Sequence, residues 1–244
     1  MKQKDLLSQD TGKIFALVYG ASGTGKTELI GTLGELGKVL IIDVDKGYKT
    51  LKYSQRVMPY RDNLYVVSFE QFNDLDTAYK LAKANDPKKW QQSIGIAEKF
   101  DWIVFDTWSE LQWVMMQKLR KDNNLDSANL DYRKGIQIQH WGMMTDLNKL
   151  AVESLRDCDV NIIVTMQETM QKDEISGQIF GGPAIHGKLV QEMPAYFDIV
   201  VHTSVDIQGN FIASTKPKGK WPAKSRIKSI KEYKNPYARD IFKL

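Results

Sequence analysis

Residues Gly20-Ala21-Ser22-Gly23-Thr24-Gly25-Lys26-Thr27 hold the pattern G-x-x-x-x-G-K-[ST], directly after the apolar run Ile14-Phe15-Ala16-Leu17-Val18-Tyr19. The chemistry this spacing allows is phosphate binding. Glycines let the backbone curl until successive N–H groups converge on an anion, where a Cβ would obstruct them. A helix beginning near Gly25 adds its positive N-terminal end to the same anion. Lys26 then reaches the β- and γ-phosphates of a nucleoside triphosphate, and the Thr27 hydroxyl ligates Mg²⁺. The cofactors implied are ATP and Mg²⁺, with Gly20 to Thr27 as the cradle.

Three carboxylates stand where a phosphate-bound metal and an attacking water need them. Trp102-Ile103-Val104-Phe105-Asp106 is an apolar run ending in an acid. This is the Walker B pattern, whose carboxylate holds Mg²⁺ directly or through water. Val39-Leu40-Ile41-Ile42-Asp43-Val44-Asp45 ends a second run in two acids at i and i+2. Alternate residues of a strand share a face, so both can point across the strand tips toward the γ-phosphate. Asp45 is the candidate general base or water positioner, with Asp43 supporting it. The alternative is an Asx-type turn into Lys46-Gly47. Thr107, not Glu, follows Asp106. Helicases and oligomeric ATPases of the broad AAA+ type place a catalytic Glu there, so its absence points away from them. The run Asn161-Ile162-Ile163-Val164-Thr165-Met166 leads into Gln167. That side chain either senses a γ-phosphate or satisfies backbone groups at a strand end. Lys224-Ser225-Arg226 sets two cations on alternate residues. They suit the charge that builds on a γ-phosphate, or else belong simply to a lysine-rich tail.

These residues need elements to carry them. Strands are expected at Ile14–Tyr19, Val39–Asp43, Leu64–Ser68, Trp102–Asp106, Asn161–Met166, Asp198–Thr203 and Phe211–Ser214, with a hairpin turn at Gln208-Gly209-Asn210. Apolar runs without alternation, such as Val39–Ile42, suit strands covered on both faces. Helices are expected at Lys26–Leu36, Phe72–Ala84, Trp108–Lys121 and Trp141–Arg156. Strands alternating with helices predict an α/β fold built on a mainly parallel, doubly wound sheet with a C-terminal antiparallel hairpin. Asp122–Gln139 and Glu168–Lys188 read as long irregular loops, and Asn85–Phe100 as a possible insertion. The expected division is an N-terminal tail over 1–12, an ATPase core over 13–215, and a basic extension over 216–244 carrying the Lys-x-Arg element.

Bulk composition narrows the function. The 244 residues carry a formal charge of +4. Ten Lys/Arg against two acids lie from Lys216 onward, leaving a mildly acidic body. Such a tail suggests phosphate or nucleic-acid contact, or a solvated extension. Cys158 is the single cysteine, and His140, His186 and His202 are scattered. No disulfide framework or catalytic zinc is expected. No apolar run reaches a membrane span and the N-terminus lacks a secretory pattern, so a cytoplasmic, membrane-free protein is expected.

Taken together, these residues resemble a RecA-like P-loop core ATPase, and more narrowly the short phage-encoded RecA-type recombinases and annealing-associated nucleotide-binding proteins. The resemblance is carried by Gly20–Thr27, the stretch 42–51, the Asp106 strand and Trp141-Gly142. Val164 to Gln167, Phe197-Asp198 and Lys224-x-Arg226 complete it. It implies ATP hydrolysis, with Asp45 at the position of the base, usually Glu, and Gln167 as γ-phosphate sensor. Lys224 and Arg226 then enter a neighbouring subunit's site in a homo-oligomeric ring or filament. The implied ligand is single-stranded DNA, with Arg133, Lys134, Lys172 and Lys188 available for its phosphates. Tyr132 and Trp141 are aromatics that either stack on bases or belong to the core. An annealing or single-strand-binding protein is the implied partner, and host cytoplasm the setting if the chain is phage-encoded. The competing readings are a non-catalytic ATP-gated adaptor and a small-molecule or nucleotide kinase.

Overall fold

The apolar runs become neighbouring strands of one sheet. The computed structural model describes residues 12–123, 136–172 and 177–243. In chain order the first half holds β1 (Phe15–Gly20), α1 (Lys26–Gly31), β2 (Val39–Asp43), α2 (Lys49–Tyr53), β3 (Leu64–Ser68), α3 (Asn73–Ala84), α4 (Pro87–Ile94), β4 (Trp102–Asp106) and α5 (Trp108–Asp122). The second half holds α6 (Ile138–Arg156), β5 (Asn161–Met166), β6 (Glu168–Lys172), β7 (Ile179–Pro183), α7 (Leu189–Glu192) and β8 (Ile199–Val205). It ends with β9 (Phe211–Ser214), β10 (Lys224–Ser225), β11 (Glu232–Lys234) and α8 (Ala238–Phe242).

The main sheet runs β11-β9-β8-β1-β5-β4-β2-β3, with β10 also on β8. From β8 to β3 every pairing is parallel, while β9, β10 and β11 join antiparallel. The expected mainly parallel α/β sheet with a C-terminal antiparallel hairpin is therefore present. Alternation along each strand feeds two cores. Phe15, Leu17, Tyr19, Ile103 and Phe105 pack with α3, α5 and α6 on one face. Ala16, Val18, Trp102 and Val104 pack with α1 and α8 on the other. Burial on both faces is why these strands lack an alternating pattern.

Several boundaries are corrected. The helix after the phosphate loop stops at Gly31 and tightens into a 3-10 turn over Thr32–Glu35. The segment ending in β3 approaches there so closely that a Cβ on Gly31 would lie 2.6 Å from Val57, and one on Gly34 2.7 Å from the Tyr60 carbonyl. Asn85–Phe100 is folded onto the core: it contains α4, whose Trp90 is 1% exposed. The Asn85 side chain donates to the Phe100 carbonyl at 2.8 Å and closes the segment onto the core. Glu168–Lys188 is no irregular loop, because β6 and β7 pair there as an antiparallel ribbon. Its polar residues gave no apolar alternation to read. Beyond residue 215, β11 extends the sheet and α8 buries Ile241 and Phe242, the latter 5.9 Å from the Trp102 ring. Tyr132, Arg133 and Lys134 lie outside the described residues. Among the described residues no helix is long and apolar enough to cross a membrane.

Candidate nucleotide-binding site

Parallel register gathers the chemistry at one edge. Gly20 at the end of β1 lies opposite Thr203, and Asp43 at the end of β2 lies opposite Asp106 at the end of β4. The carboxyl ends of parallel strands are where open α/β sheets bind ligands. A cavity of about 280 Å³ opens there, walled by Gly23, Gly25, Lys26, Thr27, Asp45, Asp106 and Gln167 among others.

The phosphate loop has the backbone its glycines were expected to supply. Gly23 and Gly25 sit at φ 78° and 85°, the left-handed region that side chains resist. Gly20 must lack a Cβ because one would stand 2.3 Å from the Thr203 carbonyl. Lys26 is buried, and its Nζ donates to the Gly20 and Ala21 carbonyls at 2.8 Å and to Gln167 Oε1 at 3.3 Å. Burial lowers the Lys26 pKa, while Asp106, Glu168 and Asp45 pull it back up. Its ammonium is thus held ready in the loop that a triphosphate would enter.

Thr27 and Asp106 meet directly: the Thr27 hydroxyl donates to Asp106 Oδ2 at 2.9 Å, and the Thr165 hydroxyl donates to Oδ1. Asp106 is 3% exposed, and burial holds its carboxyl above the usual range. Asp45 and Asp43 push it the same way. Among the described residues no three His, Cys, Asp or Glu side chains converge as a metal site. The pair still fits Mg²⁺, a hard cation that takes one or two protein oxygens and completes its shell with phosphate and water. Cys158 is buried, which pushes its thiol up to about 11.

The two acids at the end of β2 part company. Asp45 is exposed and lies on the cavity wall; Asp43 is 4% exposed and does not. Both accept from the Gly47 N–H at 2.9 Å, so the Asx-type turn is formed as well. Burial raises the Asp43 carboxyl. The expectation that both acids point the same way is corrected: Asp45 alone lines the cavity, and Asp43 is buried behind it.

Gln167 joins the site to the ribbon. Its side chain meets Lys26, its N–H donates to Ser109 Oγ at 2.9 Å, and the next residue begins β6. Lys224 and Arg226, by contrast, are nowhere near their own cavity. Lys224 pairs opposite Val200, and the Arg226 N–H reaches the Asp198 carbonyl, whereas Gly20 sits opposite Thr203. That separates them from the loop by roughly 10–17 Å along the strand. Arg226 instead pairs with Asp198 at 3.2 Å, and both cations donate to the Ala195 carbonyl. Trp141 is half-buried against the core, with its ring stacked on His186 at 4.2 Å.

Sequence reasoning missed Glu168, His202 and Phe211. The His202 Nε2–H donates to Glu168 Oε2 at 2.8 Å, and His202 stacks on Trp221 at 4.8 Å. The one available signal was adjacency, Glu168 to Gln167 and Phe211 to the hairpin turn.

A phosphate loop with a Walker B acid beneath it, on the carboxyl edge of a parallel sheet, defines a P-loop nucleotide-binding protein. The profile of the AAA domain family matches residues 13–227, and the chain belongs to that family. This sits against the expectation from Thr107, which pointed away from broad AAA+ ATPases. The residue is as read: the Thr107 hydroxyl donates to the Thr165 carbonyl at 3.0 Å, and the chain has no Glu at that position. No curated protein matches the sequence. Solved structures include a RadB recombinase, 14% identical with a TM-score of 0.45 over 85% of this chain and 82% of that one. That likeness is too distant to bear on what the chain does.

Proposed function

We propose that the protein is a single-stranded-DNA-binding ATPase of homologous recombination or strand annealing, in the manner of the short phage-encoded proteins its motifs resemble. The observation that carries this reading is Gln167. It touches Lys26, where a γ-phosphate would lie, and its neighbour opens the β6–β7 ribbon. A change at the phosphate is thereby felt at the base of the ribbon. The ribbon is flanked by cations. Lys172 is exposed on β6, and the turn Lys218-Gly219-Lys220 docks beside β7, where the Gly181 N–H donates to the Lys220 carbonyl at 3.1 Å. Trp221 packs so closely on Gly181 that a Cβ there would stand 2.5 Å away. Exposed lysines on and beside the ribbon suit a phosphodiester backbone.

In the chemistry proposed, Lys26 and the loop N–H groups hold the triphosphate, and Thr27 with Asp106 hold Mg²⁺, which neutralises phosphate charge when bound. Asp45 orients the attacking water, with its second oxygen left by the Gly47 hydrogen bond. Lys224 and Arg226, remote from their own cavity, serve a neighbouring copy in a ring or filament. An ATP-gated adaptor with negligible turnover is the second reading, favoured by the engagement of Asp45 in its turn. The test is binding of fluorescent single-stranded DNA with ATP, ADP and no nucleotide. ATP-strengthened binding is expected, with K218A/K220A lowering the salt slope by about 0.7 for each phosphate that goes unneutralised. Binding indifferent to nucleotide refutes the coupling.

A further inference from the structure

Among the described residues, the cavity wall is backbone, hydroxyl, amide and charged side chain except at one place, the Phe211 ring. A nucleoside triphosphate has one anionic end and one planar, largely apolar end. Lys26 and Thr27 fix the first, so the second meets the single aromatic surface available. This step rests on the nucleotide-binding reading above.

The ring is positioned with care. It lies on Gly25, where an added Cβ would stand 3.0 Å from Cγ and Cδ1. The Phe211 N–H donates to Asn235 Oδ1 at 2.9 Å, and the Phe211 carbonyl accepts from the Asn235 N–H at 2.6 Å. The Asn235 amide in turn donates to Asn210 Oδ1 at 3.0 Å. Asp206 ties the turn before it by accepting from the Gln208 and Asn210 N–H groups. From the other side, Arg56 donates to the Asn235 carbonyl at 3.0 Å and pairs with Glu28 at 2.7 Å. The basic C-terminal segment thus acts as a brace for one ring at the mouth of the nucleotide cavity.

The polar side chains nearest the ring are engaged with one another, Asn235 with Asn210 and Arg56 with Glu28. Glu28 also lines the cavity, but its two carboxylate oxygens accept from Arg56 and Ser54. A base gripped by its face is read poorly, because every base has a π-face.

We propose that Phe211 is the surface on which the nucleobase stacks, and that the site discriminates weakly among bases. The experiment titrates ATP, GTP, CTP and inorganic tripolyphosphate into wild type, F211A, F211L and F211W, with folding checked by circular dichroism. Loss of a base–aromatic stack predicts ATP binding about tenfold weaker in F211A. F211L is expected between the two, and F211W at or above wild type. Tripolyphosphate affinity is expected unchanged throughout, and the nucleotides within about tenfold of one another. Unaltered ATP affinity in both F211A and F211L overturns the proposal. So does an equal loss of tripolyphosphate, which would make the ring a prop for the loop. A hundredfold preference for one purine over the other overturns the weak discrimination. Wild type binding ATP no better than tripolyphosphate sinks the stack while leaving the phosphate loop standing. Wild type binding neither removes the nucleotide reading itself, and this inference with it.

Discussion

Replacing Asp106 by Asn separates folding from function. In the free protein Asp106 is 3% exposed, crowded by Asp43 and Asp45, and raised in pKa chiefly by desolvation. Asn keeps the hydrogen bonds. Its carbonyl accepts from Thr27, and its amide donates to the Thr165 hydroxyl, which turns to the Phe105 carbonyl it already reaches at 3.4 Å. Removing a buried charge while keeping its hydrogen-bond partners relieves desolvation on the order of 1–3 kcal/mol, less the attraction to Lys26 that the charge supplied. At this chain length that is a rise in Tm of about 2–4 °C per kcal/mol. The pH dependence has a definite sign. A carboxyl with a raised folded pKa binds its proton more tightly when folded, so stability falls as pH rises from the unfolded value through the folded one. D106N flattens that fall, and Asp43, raised the same way, retains part of it. With Mg-nucleotide the gap between the two narrows. Ligand at a hundred times its Kd stabilises wild type by about 2.7 kcal/mol, and D106N gains no more from Mg-ATP than from ATP with chelator. Scanning calorimetry from pH 4 to 8, with and without Mg-ATP, reads both effects. A D106N protein that melts below wild type when free, yet keeps the full Mg-ATP shift, refutes the reasoning.

Three further outcomes are expected. Asp45→Asn keeps ATP affinity within about twofold but loses about 100-fold or more in turnover, and unchanged hydrolysis removes Asp45 as water positioner. Gly25→Ala forces a side chain onto a φ of 85° and against Phe211; a loss of about 1–2 kcal/mol in stability with weakened ATP binding is expected, and a neutral effect would contradict the loop geometry. Arg226→Ala and Lys26→Ala are each inactive alone but recover turnover when mixed, since each supplies what the other lacks; no recovery at any ratio confines Arg226 to its pair with Asp198.

The fold was legible where burial wrote a strong pattern. Val39–Asp43 and Asn161–Met166 are apolar because both sheet faces are covered, and their bounds match the structure. Where residues serve a surface ribbon, as in Glu168–Lys172, no such pattern exists and the strand passed as loop. Gly31 and Gly34 ended a helix through close approach to residues more than twenty positions away, which no local window contains. In the site, loop and Walker B acid were legible because their chemistry fixes residue type and spacing. Asp45 was legible as the leading acid of its pair, but the burial of Asp43 away from the cavity was not, since it depends on which carboxylate the turn covers. Nor was Phe211, which in sequence is one more apolar residue opening a strand.

The central claim is an ATPase whose turnover answers to DNA and to neighbouring copies. The most direct measurement is ATP hydrolysis against protein concentration, with and without single-stranded DNA. The account predicts stimulation by DNA and specific activity that rises steeply with concentration. Turnover that is flat in concentration and blind to DNA would contradict it.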